Sequence, residues 1–130
     1  MVNKILFVDD DRDFVELNQI TLESRGYRII TAYNGEEGLK KALQEKPDLI
    51  VLDVMMSTRT EGFDVARKLR EIEELKEIPI IMVSAIREEM DISGKIKSDK
   101  NWLPVTEFIE KPFPPDKLLK KIEQLLSKNS

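Results

Sequence analysis

Three short runs, Ile5-Leu6-Phe7-Val8, Leu49-Ile50-Val51-Leu52 and Ile80-Ile81-Met82-Val83, contain no polar residue. Continuous apolar runs of this length, without alternation, predict strands buried on both faces. Strands are expected at residues 4–8, 49–52 and 80–83, the last beginning after Pro79, whose missing N–H a strand's first position tolerates. The isoleucine-rich stretch 28–32 predicts another, and Phe108-Ile109 a brief last one.

Between these runs the period changes. Phe14, Val15, Leu17, Ile20 and Leu22 recur at roughly helical spacing, which predicts a helix over 12–25 stopped by Gly26. Asn34-Gly35 reads as a turn before a helix over 36–44, with Leu39, Ala42 and Leu43 on one side and Pro47 closing it. Phe63, Ala66, Leu69 and Arg70 predict a helix over 62–71. Pro115 opens the last helix, with Leu118, Leu119, Ile122, Leu125 and Leu126 as its apolar face, and residues 127–130 are expected to fray. Residues 86–102, interrupted by charges and Gly94, hold an irregular remaining helix. Five strands alternating with five helices give an α/β fold, a doubly wound five-stranded parallel sheet with helices on both faces. Without a repeat or linker, residues 1–130 read as a single domain.

Composition narrows the chemistry. Apolar residues make up 41% and charged residues 35% of the 130, as in an ordinary globular protein. Lys and Arg total 21 against 25 Asp and Glu, a net charge of -4, so direct nucleic-acid binding is not expected. No apolar stretch is long enough for a membrane span, and no signal-peptide pattern or cysteine is present, so a cytoplasmic location is the expectation. The absence of histidine excludes serine–histidine triads, HExxH zinc sites and a histidine phosphate carrier within this chain.

The candidate chemistry lies where strands end. Asp9-Asp10-Asp11 follows the first apolar run, and Asp53 follows the third strand. In a parallel sheet both emerge at the carboxyl edge, where such folds place their sites. Crowded carboxylates with no histidine or cysteine favour Mg²⁺, or Mn²⁺, over zinc or copper. Asp11 is also a good helix N-cap, and acidic residues after a strand often serve only that purpose. Lys111, before Pro112, could neutralise a phosphoryl group as a point charge, or could be an exposed lysine before a turn. Ser84, after the fourth strand, could donate to a phosphoryl oxygen, or cap the segment beginning at Ile86. Together these groups would make a phosphoryl-transfer site with an aspartate nucleophile.

The stretches KILFVDDD (4–11), PDLIVLDVMM (47–56), EGF (61–63), PIIMVSA (79–85) and FIEKPF (108–113) resemble, in order and spacing, the receiver domain of bacterial two-component response regulators. The resemblance covers essentially the whole chain and implies a flavodoxin-like sheet of strand order 2-1-3-4-5. It implies that Asp53 is the phosphoacceptor and that Asp9 and Asp10 are the acidic pair. Asp10 would bind Mg²⁺ directly and Asp9 largely through water, while Asp53 and the backbone carbonyl of Met55 complete the protein's ligands. Ser84 and Lys111 would contact the phosphoryl group, Ala85 would leave it accessible, and Phe108 would change rotamer with Ser84. Lacking a hydroxyl, Phe108 would rely on burial, and it also reads as a plain core phenylalanine.

The chain departs from the family pattern in two places. Ser57 stands where many members have proline, and Gly62 follows the acceptor one position later than usual, which lengthens the loop 56–61. The stretch between Ser84 and Lys111 is several residues longer than usual and lacks the common Gly-Ala pair. Its Trp102 reads as a core anchor or a contact residue.

The implied function is a phosphorylation-dependent signalling switch, a phosphoacceptor more than a turnover enzyme. Its partners would be a sensor histidine kinase or histidine phosphotransfer protein upstream and a protein target or missing output domain downstream, with homodimer formation on phosphorylation as a further expectation. The alternative is a phosphorylation-independent pseudo-receiver. An aspartate-nucleophile phosphatase would need an acid/base carboxylate near Asp53, where Val54 and Met55 stand. A flavodoxin-like cofactor binder would need backbone N–H groups where Asp9 and Asp10 stand.

Overall fold

A computed structural model of the chain describes residues 3–54, 61–84, 106–111 and 113–128. The elements in chain order are β1 (Lys4–Val8), α1 (Arg12–Glu23), β2 (Arg28–Ala32), α2 (Gly35–Glu45), β3 (Leu49–Asp53), α3 (Glu61–Glu71), β4 (Ile80–Ser84), β5 (Glu107–Glu110) and α4 (Pro115–Lys128). The strands form one parallel sheet of order β2-β1-β3-β4-β5. This is the doubly wound, flavodoxin-like arrangement expected from the apolar runs and the resemblance. The helix expected within 86–102 lies outside the described residues, as do Ala85, Trp102 and most of the 56–61 loop.

Successive strand residues point to opposite faces, so each apolar run supplies two cores. Ile5, Phe7, Leu49, Val51, Ile81 and Val83 pack with Val15 and Leu22 of α1 and Leu118, Leu119 and Ile122 of α4. Leu6, Val8, Ile50, Leu52, Ile80 and Met82 pack with Ala42 of α2 and Phe63, Ala66 and Leu69 of α3. A polar residue at any of these strand positions would be buried, which explains the unbroken runs.

Several expectations shift in detail. The buried stripe of α1 runs through Val15, Asn18 and Leu22, whereas Leu17 and Ile20 are 53% and 64% exposed. Leu43 of α2 is likewise exposed. Asn34 is the N-cap of α2, with its side chain accepting from Glu37 N at 2.8 Å, and Gly35 is already helical. Lys46, at φ 46°, closes that helix in the left-handed region without a glycine. Ser127 and Lys128, expected to fray, belong to α4.

The registers place the site. Val8 is level with Leu52, and Asp53 with Val83, so Asp9 and Asp53 reach the same height on adjacent strands. Ser84 pairs with Glu110, which puts Lys111 one step beyond. The ladder continues past the strand ends through Asp9 N to Ala32 O (3.0 Å) and Val54 N to Val83 O (3.0 Å).

Candidate functional site

At the carboxyl edge of β1 and β3, one carboxylate oxygen from each of Asp9, Asp10 and Asp53 lies within 4.8 Å of the others. Asp9 and Asp53 are buried and Asp10 is exposed, so the cluster opens to solvent on one side. The Lys111 ammonium donates to Asp9 Oδ2 at 2.9 Å and stands 3.9 Å from Asp53 Oδ1. The sequence therefore named four groups that the fold brings together around one point.

Ser84 is buried at the end of β4, and its backbone carbonyl accepts from Lys111 N at 2.6 Å. The lysine is thus tied to the serine's strand by its backbone and to the carboxylates by its tip. Phe108 lies on β5, half-buried against the core on the α2 and α3 side. Met55, expected to offer its carbonyl, lies outside the described residues.

The acidic run divides its labour. Asp9 Oδ1 accepts from Asp11 N at 3.0 Å, and Asp11 Oδ1 accepts from Phe14 N at 3.1 Å. Asp11 is therefore the N-cap of α1, the local role expected for it, and it anchors the helix start to the site.

Electrostatics make the cluster costly when empty of counter-charge. Burial pushes Asp53 up from its ordinary 3.8 to about 8, aided by the charge of Asp9 and a hydrogen bond to it, and opposed by Lys111. Asp9 is raised too, chiefly by burial, against the hydrogen bond from Asp11 N and the pull of Lys111. One ammonium does not balance three carboxylates. A set of hard oxygen donors with unfavourable mutual charge is chemically suited to a divalent cation, and the three residues could hold one.

Three supports were not read from the sequence. A Cβ on Gly62 would collide with the Asp53 carbonyl oxygen and sit 2.7 Å from Val54 Cα, and Gly62 N donates to Val54 O at 2.9 Å. Glycine is thus required where α3 starts against the back of the acidic strand end. Glu61 Oε2 accepts from Gly35 N at 2.6 Å and joins the first turns of α2 and α3. Phe14 places its ring under the Lys111 ammonium, 4.2 Å from ring centroid to Nζ. Of these only the EGF stretch carried a sequence signal.

The chain belongs to the response regulator receiver domain family, whose model matches residues 5–123. It is 41% identical over 129 residues to the alkaline phosphatase synthesis transcriptional regulatory protein PhoP of Bacillus subtilis, covering 99% of this chain and 50% of that protein. It is 34% identical over 123 residues to the DNA-binding dual master transcriptional regulator RpaA of a Synechocystis strain, covering 95% of this chain and 48% of that protein. The chain spans about half the length of these curated relatives. Among solved structures, the chemotaxis response regulator CheY4 of Vibrio cholerae superposes with a TM-score of 0.82 at 31% identity, over 95% of this chain and 98% of that one. Membership implies phosphorylation-based, two-component signalling, and the acidic cluster with its lysine is consistent with a receiver's phosphoacceptor site. Among the described residues no helix is long and apolar enough to cross a membrane.

Proposed function

We propose that Asp53 accepts a phosphoryl group from the phosphohistidine of a sensor histidine kinase or a histidine phosphotransfer protein, and that the acyl phosphate switches a partner-binding face. The observation that carries this reading is the Lys111 ammonium held between Asp9, at 2.9 Å, and Asp53, at 3.9 Å, beside a three-carboxylate cluster. A carboxylate nucleophile with a fixed cation at its side is what phosphoryl transfer to aspartate needs.

In the step itself, an Asp53 carboxylate oxygen bonds to phosphorus as the partner's P–N bond breaks, and the electron pair returns to the imidazole. Lys111 balances charge on the transferred group, and the Ser84 hydroxyl donates to one of its oxygens. Asp9, Asp10, Asp53 and the Met55 carbonyl would hold Mg²⁺, or Mn²⁺, which supplies charge neutralisation for the phosphoryl oxygens when bound. Cation binding also favours the ionised form of Asp53, which burial alone disfavours.

Phosphorylation then biases an existing equilibrium of Ser84 and Phe108, altering the surface around β5 and the segment before it. The relatives named as transcriptional regulators are about twice this chain's length, so control of an output region or a separate protein target fits the reading. The test is intact-mass spectrometry after treatment with acetyl phosphate and Mg²⁺. The wild-type chain should gain one acid-labile phosphate and Asp53→Asn none. A wild-type chain that gains none is a phosphorylation-independent binding module instead.

A further inference from the structure

We infer that Phe14 is a positioning residue for phosphoryl transfer, its ring face serving as a weakly directional support for the Lys111 ammonium. The inference rests on the reading of Asp53 as phosphoacceptor. Lys111 Nζ lies 4.2 Å from the Phe14 ring centroid, 2.9 Å from Asp9 Oδ2 and 3.9 Å from Asp53 Oδ1. The charge thus has carboxylates as one set of neighbours and the negative face of an aromatic quadrupole as another.

The ring is itself held in place. Phe7 of β1 lies 5.7 Å from it, centroid to centroid, with the planes at 65°. Phe113, two positions after the lysine, lies 5.5 Å away at 86°. Both are the angled contacts aromatic pairs prefer. The backbone N–H of Phe14 is fixed by Asp11, whose own N–H is fixed by Asp9. One short acidic run therefore sets both a carboxylate partner of the lysine and its aromatic support.

A ring suits a cation that has to move. When a phosphoryl group arrives on Asp53, the ammonium turns from Asp9 toward a phosphoryl oxygen. A hydrogen-bonding support would have to be broken for that turn, whereas attraction to a π face changes gradually with position. The ring also shields the ammonium, whose side chain is only 17% exposed, from water that would otherwise compete for it.

The test compares Phe14→Leu, which removes the π face but keeps an apolar side chain, with Phe14→Tyr, which keeps the face. At fixed Mg²⁺ and acetyl phosphate, the initial rate of acid-labile phosphate uptake should fall about three- to tenfold in Phe14→Leu and stay near wild type in Phe14→Tyr. In wild-type protein with ¹³C-labelled lysine, the Lys111 ε-protons should resonate upfield of those of the other lysines, and the shift should vanish in Phe14→Leu. Unshifted ε-protons in the wild type overturn the inference, even if the leucine variant fails to fold. So does a leucine variant at the wild-type rate, or a tyrosine variant as slow as leucine, which would mark a packing role. A wild-type chain that takes up no phosphate overturns the phosphoacceptor reading and this inference with it.

Discussion

Gly62 sits where a single carbon atom decides whether the acidic strand end keeps its place. The carbonyl oxygen of Asp53 and the Cα of Val54 occupy the space a side chain would need, and both are backbone atoms that cannot rotate aside. Gly62→Ala should destabilise the protein by about 3 kcal/mol, the upper part of the range for overpacking, as measured by urea unfolding. Phe14 shows the opposite economy at the same scale, since one side chain contributes to the α1 core and also faces the lysine. Asp9 likewise accepts from a backbone N–H and from Lys111 with its two oxygens.

The elements were legible in the sequence because both faces of the sheet are covered. Unbroken apolar runs at residues 5–8, 49–52 and 80–83 follow from that burial, and the strands formed where the runs stand. Asp9, Asp53, Ser84 and Lys111 were legible as candidate site residues for a related reason, since each stands at or just beyond a strand's carboxyl end. Phe14 was not, because its spacing matches an ordinary core position and only the folded geometry sets it against Lys111. Leu17 and Ile20 share the helical spacing of the apolar residues of α1, yet the buried stripe runs through Asn18, whose amide donates to Phe14 O at 2.9 Å. One cation ties down several carbonyls of the segment after α3: Arg70 Nη1 donates to Lys76 O at 2.9 Å and Ile78 O at 2.6 Å, with Leu75 O at 3.5 Å. Arg70→Ala should cost about 2 kcal/mol, because it leaves part-buried carbonyls without their charged donor. Arg70→Lys should recover only part of this in thermal melts, since an ammonium lacks the planar fork.

For the whole molecule, the raised carboxylates tie stability to pH and to metal. Between 3.8 and about 8 the folded protein holds a proton on Asp53 that the unfolded chain has released. Its contribution to stability is therefore full below 3.8 and is lost as pH rises toward 8. With chelator present, the melting temperature should fall from pH 5 to pH 8 by several degrees, and Asp53→Asn should flatten that slope. Added Mg²⁺ should restore stability at pH 8 and do little at pH 5, because proton and cation compete for the same oxygens. Calorimetry at the two pH values, with and without Mg²⁺, checks both effects. The clamp behind Asp53 also bears on how the site is joined to the rest of the molecule. Val54 O and Gly62 N, joined at 2.9 Å, fasten the carboxyl end of β3 to the first turn of α3. With no slack between them, the carboxyl end of β3 and the start of α3 behave as one lever, so a pull at the acidic strand end is carried into that helix.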